Sequence, residues 1–202
     1  MKQFIKKRWP WLVAACILVA AIALLLAQCG AEPSTVTPTL IVETPQKLSA
    51  RETDEVTLDV TISALGEACY PAMSMSIAFD ASRLEFLGVE EGNIFILSDE
   101  NSTGQQLPDW SCNVQNSNDT GRINIMYLDM TGGKNAFTKN LLADSYNVVL
   151  RLRFRLRGSV RPGDVLDLTV EDAVFAASDE TQSLAMTTGT LKVKNGRLVI
   201  GE

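Results

Sequence analysis

Apolar and polar residues alternate with a period of two along most of the chain after residue 50. In the range 55–63, Val56, Leu58, Val60 and Ile62 occupy every second position. The same alternation recurs in three later segments, 73–79, 150–156 and 166–170, whereas the segment 123–128 has apolar residues on both faces. This period is typical of strands with one buried face, and turn-forming residues separate the segments. The sequence therefore predicts an all-β sandwich or jelly roll. One short helical turn is expected near residues 140–144.

The N-terminus has the pattern of an export signal. Four basic residues among the first eight precede an uncharged run of 17 residues, 11–27. That length lies between the apolar region of a secretory signal, about 7–15 residues, and a membrane-spanning helix of about 20. Residues 1–28 are therefore predicted to be a signal peptide or an N-terminal membrane anchor, with its basic end inside the cell.

The apolar run ends in Leu26, Ala27, Gln28 and Cys29, which resembles a bacterial lipobox, although Gln28 stands where that pattern has a small residue. Lipidation at Cys29, an uncleaved anchor and ordinary secretion remain three alternatives. Each of them places the chain from Cys29 onward outside the cytoplasm, and the lipoprotein and the anchor place it at the extracellular face of the cell membrane. Residues 29–39, rich in Pro, Ser and Thr, are predicted to be a linker to one domain over residues 40–202.

Charge and composition exclude several classes of function. The formal charge is −6, and the 14 basic and 24 acidic residues left after residue 28 give −10, which argues against a nucleic-acid partner. A chain without histidine has neither Ser-His-Asp nor Cys-His catalysis, and no His-ligated zinc. The acidic residues that could form a hydrolytic pair lie in predicted turns. No enzymatic activity, cofactor or metal is expected.

Two cysteines, Cys69 and Cys112, lie in the predicted domain, each at the start of a strand. In an exported protein an even pair favours one disulfide. The alternative is two buried free thiols.

Four segments follow one another in a characteristic order. In the first segment, a strand runs into a Phe-Asp-x-x-x-Leu turn, and in the second, a Gly-Arg-Ile strand ends in an acidic, Gly-rich loop. In the third, an alternating strand follows a Thr-containing loop, and the fourth, which closes the series, contains Phe-Ala. These are, in order, residues 77–95, 121–133, 137–158 and 170–193. The series covers about residues 40–194 and resembles the cohesin domain, with Ala81 where that family usually has Pro. The resemblance implies a jelly-roll β-sandwich of about nine strands.

Cohesin domains dock the dockerin modules of cellulosomal enzymes, so the resemblance implies protein recognition. The implied contact surface comprises the strands at about 71–79, 110–115 and 122–128 and the loop that follows. The residues assigned to it are Ala72, Ser74, Ser76, Asp129, Thr131 and Gly132. Ala72 and Ser74 stand where cellulosomal members often have Asn and Asp, so this sequence lacks that polar pair. The alternative for Asp129 is a hydrogen bond to its own loop.

Two other functions remain open on the same architecture. Trp110 and Tyr70 could form a small polysaccharide-binding site, because sugars stack on exposed aromatic rings. A structural envelope domain without a ligand is the third possibility. Four alternating arginines, at 151, 153, 155 and 157, are expected to pair across strands with Asp167 and Glu171.

Overall fold

The computed structural model describes residues 36–44, 48–49, 55–96 and 110–201. The predicted signal peptide or anchor, the lipidation site at Cys29 and most of the predicted linker lie outside the described residues.

Twelve strands and two short helices form within the described residues. The strands are β1 (Thr39–Val42), β2 (Leu48–Ser49), β3 (Glu55–Ile62), β4 (Ala72–Ala78), β5 (Leu84–Glu91), β6 (Ser111–Cys112), β7 (Arg122–Leu128), β8 (Val148–Leu156), β9 (Val165–Ala176), β10 (Leu184–Ala185), β11 (Lys192–Lys194) and β12 (Gly196–Gly201). The helices are α1 (Val114–Thr120) and a 3₁₀ helix at Glu180–Gln182. Three of them have only two residues, and the total exceeds the about nine strands expected.

The strands form two sheets packed face to face. One has the order β11-β1-β3-β8-β5, and the other has the order β2-β12-β9-β4-β7-β6, with β10 paired to β9. The β1–β11 and β2–β12 pairs are parallel, and all other pairs among the described strands are antiparallel. The predicted all-β jelly-roll sandwich is confirmed.

The core lies between the sheets and consists of the inward members of the alternating segments. Every second residue of β3, β4, β7 and β8 is buried, as the period of two predicts. Aromatic rings fill both ends of the core. Phe154 contacts Phe79 and Phe86 at one end, and a larger group surrounds Phe137 at the other. Each fully buried large side chain contributes about 1.5–3 kcal/mol.

The α-helix lies at α1 and not near residues 140–144, where the chain forms turns. Asn113 caps its start, since its side chain accepts a hydrogen bond from the Asn116 amide at 2.9 Å. Gly121 ends it with φ 68°, a left-handed conformation that favours glycine. The helix has no apolar period, because Ser117 is its one buried residue, and the periodicity analysis therefore missed it.

The arginines of β8 form ion pairs across strands, as expected, but with other partners. Arg153 pairs with Glu55 and Glu90, and Arg155 pairs with Glu55 and with Glu85. Arg151 pairs with Asp59 of β3. The expected partners, Asp167 and Glu171, instead pair with Arg197 and Arg122. The expectation was wrong because β8 and β9 belong to different sheets, although they are consecutive long strands in sequence.

Candidate functional site: the outer face of strands β9, β4 and β7

Strands β9, β4 and β7 present one continuous surface to solvent, which we call the outer face. Their register places the outward residues in three rows. From one end to the other, the rows are Asn124–Ser76–Asp172, Met126–Ser74–Val174 and Leu128–Ala72–Ala176. The short strand β6 extends the sheet beside β7.

The resemblance placed Ala72, Ser74 and Ser76 on the contact surface, and the structure places all three along the middle of the outer face. Each is half-buried between its neighbours on β7 and β9. The Ser76 hydroxyl donates a hydrogen bond to Oδ1 of Asn124 at 2.7 Å. Because these side chains are small, the centre of the outer face is flat, and larger groups rise on the flanking strand β7.

The end of the outer face at the row Leu128–Ala72–Ala176 is apolar. Met126 is 60% exposed and Leu128 is 53% exposed, and Met130, in the loop after β7, is 79% exposed. Between Met126 and Ala176 the surface sinks into a depression of about 280 Å³ lined mainly by apolar side chains. Exposed apolar groups clustered on one surface of a soluble domain typically mark an interaction site.

The opposite end is polar. A second depression, of about 410 Å³, is lined by Ser76, Asn124, Asp172, Ser111 and Asn113, together with neighbouring residues. Sequence reasoning did not assign Asp172 to the site. The sequence feature that could have indicated Asp172 is a break in the alternation of β9. Glu171 and Asp172 are adjacent and lie between the buried Val170 and Ala173. The pairing of β9 with β4 is irregular at this point, which turns Asp172 toward the outer face.

The predicted loop residues Asp129, Thr131 and Gly132 lie directly after β7. The Asp129 carboxylate is occupied within its own loop: Oδ1 accepts from the Thr131 amide at 2.8 Å and from its hydroxyl, and Oδ2 accepts from the Gly133 amide at 2.6 Å. Gly132 and Gly133 have φ of 76° and 100°. The carboxylate of Asp129 therefore forms hydrogen bonds within its own loop, which was the alternative considered for this residue.

The predicted disulfide between Cys69 and Cys112 is corrected, because both are free thiols. Cys112 pairs with Ile125, which pairs with Met75 on the neighbouring strand. Cys69 lies six residues before Met75, which along an extended chain is on the order of 15–20 Å. The Cα atoms of a disulfide lie within about 7 Å of each other. Burial raises the pKa of the Cys112 thiol.

The two aromatic residues considered for a polysaccharide site do not form an exposed platform. Tyr70 is buried and contacts the ring of Phe175. Trp110 is half-buried and packs at 4.9 Å, between ring centroids, against the buried Tyr127. Burial also raises the pKa of Tyr127, whose hydroxyl donates to the Asn135 carbonyl. Tyr70 and Tyr127 therefore belong to the core, and Trp110 packs against it.

Neither a metal centre nor a spanning helix occurs in the described ranges. Among those residues, no three Asp, Glu, His or Cys side chains come together as metal ligands would. In the same part of the chain, no helix has the length and apolar character needed to cross a bilayer.

The two-sheet sandwich with a partly apolar, exposed sheet face has the features of a class of protein that binds a partner on its surface. The chain belongs to the cohesin domain family, whose family model matches residues 42–193. The resemblance drawn from the sequence is thereby confirmed. No curated protein matches the chain.

Solved cohesin structures share the fold. The third cohesin of ScaC from Acetivibrio cellulolyticus, solved with the ScaB dockerin, is 14% identical with a TM-score of 0.55, over 82% of this chain and 99% of that one. The OlpC cohesin of Clostridium thermocellum, solved with Doc435, is 16% identical with a TM-score of 0.55, over 83% and 96%. A non-cellulosomal cohesin of the archaeon Archaeoglobus fulgidus is 14% identical with a TM-score of 0.54, over 83% and 93%.

Proposed function

We propose that this chain is a non-catalytic cell-surface receptor that docks a dockerin-like protein module through the outer face of β9, β4 and β7. The observation that carries the proposal is the exposure of Met126 and Leu128 beside the small side chains of β4. Removing such side chains from water under a partner favours association. Family membership supports the same choice, since cohesins of this fold have been solved with dockerins.

Membrane attachment is the second part of the proposal. The basic and apolar segments of residues 1–28 support an N-terminal tether, with Cys29 as the lipidated residue. The receptor would then hold its partner at the extracellular face of the cell. Labelling cells with a fatty-acid analogue tests this: the label is expected on the wild-type chain and absent from Cys29→Ser. A labelled Cys29→Ser variant would contradict lipidation at this residue.

The docking test uses the full chain, immobilised in mild detergent, to capture secreted and surface proteins of the source organism. Mass spectrometry is expected to recover proteins that share a dockerin module. Recovery of no dockerin-bearing protein would contradict the proposed function.

The assigned surface is tested with one recovered dockerin and two matched variants. Met126→Asp introduces a charge on the outer face and is expected to weaken binding at least about tenfold, because a charge must be buried against an apolar partner. Thr57→Asp adds the same charge on the outside of the other sheet, opposite Arg153, and is expected to bind like the wild type. Equal binding by the wild type and Met126→Asp would place the contact surface elsewhere.

A further inference from the structure

The polar end of the outer face contains one acidic side chain whose charge is uncompensated. Five acidic side chains in the described segments are half-buried, at positions 59, 85, 129, 164 and 172. The first four have hydrogen-bond or ion-pair partners. Within the described residues Asp172 has none, and its Oδ1 atom is shielded from solvent without a hydrogen bond.

One oxygen of this carboxylate, Oδ1, is shielded from water and accepts no hydrogen bond within the described residues. It has lost part of its hydration, and no donor has replaced the lost water. The nearest row neighbour, Ser76, directs its hydroxyl to Asn124 and not to Asp172. The one basic residue of β7, Arg122, pairs with Glu171. The charge of Asp172 is therefore available to a partner.

We infer that Asp172 determines which dockerin-like modules bind, by selecting those that place a Lys or Arg side chain in the depression of about 410 Å³. The inference rests on the proposed function and specifies the chemistry of its partner. A basic group would form a charge-assisted hydrogen bond with a carboxylate that has no other donor. The net charge of −6 of the whole chain favours the approach of a basic partner surface.

The same partner must also cover the apolar end. Asp172 and Ala176 are four residues apart on β9, which corresponds to about 13 Å along the strand. Along the strand direction, the partner surface therefore presents its basic side chain about 13 Å from the apolar side chains that cover Leu128 and about 7 Å from those that cover Met126. The acceptor lies on β9 in this chain, whereas the positions on β4 that often have Asn and Asp in cellulosomal cohesins are Ala72 and Ser74 here.

A display library of dockerin modules, randomised at surface positions of their helices, tests the inference. The bait is the full chain in mild detergent, as wild type, as Asp172→Asn and as Asp144→Asn. Asp144 is exposed. It lies beside the other sheet, because the Asn93 side chain, just after β5, donates a hydrogen bond to the carbonyl of the adjacent Ser145. Asp144→Asn therefore removes one negative charge, as Asp172→Asn does, but at a position that is not on the outer face.

Lys or Arg is expected to be enriched at one position with wild type and with Asp144→Asn, and not with Asp172→Asn. A selected module is expected to bind Asp172→Asn at least about tenfold more weakly, with a smaller dependence on salt. Asp172→Asn should unfold at the same temperature as the wild type or higher, because it removes an unpaired charge. Asp172→Ser also removes the carboxylate and serves as a second variant in the same binding measurement.

Two results would overturn the inference, and they are distinguishable. If modules bind the wild type and Asp172→Asn equally, or without Lys or Arg enrichment, the proposed docking function stands and the role of Asp172 is wrong. If no module binds the wild type, the proposed function itself is wrong, and the inference fails with it.

Discussion

The side chain of Asn118 continues the hydrogen-bond ladder of the edge strand β5 at Phe86. Its amide nitrogen donates to the Phe86 carbonyl at 2.8 Å, and its amide oxygen accepts from the Phe86 N–H at 2.8 Å. The side chain thus replaces the backbone of a neighbouring strand. Because Asn118 lies in α1, it holds the helix against an edge that would otherwise have unpaired backbone groups.

Replacing Asn118 with alanine is expected to lower the free energy of unfolding by about 1–3 kcal/mol, since two hydrogen bonds to a partly buried backbone are lost. Asn116→Ala is the matched control in the same helix. The Asn116 side chain is exposed, so a change within about 0.5 kcal/mol is expected. Urea denaturation of the three proteins measures the difference, and equal midpoints for both variants would contradict the role of Asn118.

The sandwich could be predicted from the sequence because its strands are half-buried. In β4 buried and half-buried side chains alternate along the whole strand, and a period of two is then visible in the sequence. The position of α1 could not be predicted in this way, because the helix buries almost nothing. Its cap residues, Asn113 and Gly121, were the available signal.

The candidate site was predicted only in part, and the reason is again physical. Strand pairing within one sheet brought β4, β6 and β7 together, as the family resemblance implied. The contribution of β9 depends on which strand lies on the other side of β4, a long-range pairing that local alternation does not specify. The same lack of long-range information led to the wrong partners for the β8 arginines and to the incorrect disulfide.

Gly92 lies where the chain passes closest to β8. A Cβ atom at this position would lie 2.0 Å from the Val148 carbonyl oxygen, which accepts hydrogen bonds from the amides of Asn93 and Ile94. Gly92→Ala is therefore expected to destabilise the domain by at least about 2 kcal/mol, because backbone must move. A thermal unfolding curve within one degree of the wild type would contradict this.

Gly132→Ala provides a contrast to Gly92→Ala in the loop after β7. A Cβ atom there has nothing within 4 Å, and only the positive φ of 76° disfavours alanine. The expected cost is about 1 kcal/mol. If Gly132→Ala proves the more destabilising of the two in denaturant titrations, steric contact at Gly92 does not dominate.

Asp129 is expected to support the shape of the loop after β7 through its charge-assisted hydrogen bonds. Asp129→Ala removes the acceptor for the Thr131 and Gly133 amides and should increase amide hydrogen exchange at these two residues. Asp129→Asn keeps one carbonyl acceptor and is expected to give an intermediate rate. Unchanged exchange in the alanine variant would show that the loop holds its shape without this side chain.

Glu55 is expected to make stability depend on pH. Hydrogen bonds from Arg153 and then Arg155 lower the pKa of Glu55. A carboxyl group with a lowered pKa stabilises the fold above its unfolded pKa, about 4.3, and this contribution is lost as the pH falls through the folded value. Glu55→Gln should therefore be slightly less stable than the wild type at pH 7, and the difference should shrink at acidic pH.

Chemical denaturation at pH 7 and at pH 3 measures the effect of Glu55→Gln. Glu180→Gln, at an exposed position of the 3₁₀ helix, is the control and should show no comparable pH dependence. A stability difference for Glu55→Gln that grows on acidification would contradict the assigned direction of the pKa shift.

The two thiols of the domain are expected to react at different rates. Cys69 is exposed, whereas Cys112 is half-buried and its pKa is raised by burial, so less of its reactive thiolate is present near neutral pH. Iodoacetamide at pH 8 should label Cys69 first, and Cys112 should reach the same rate only in denaturant. Peptide mass spectrometry of the unreduced chain measures both reactions. Recovery of a Cys69–Cys112 linked peptide would contradict the free thiols and restore the disulfide predicted from the sequence.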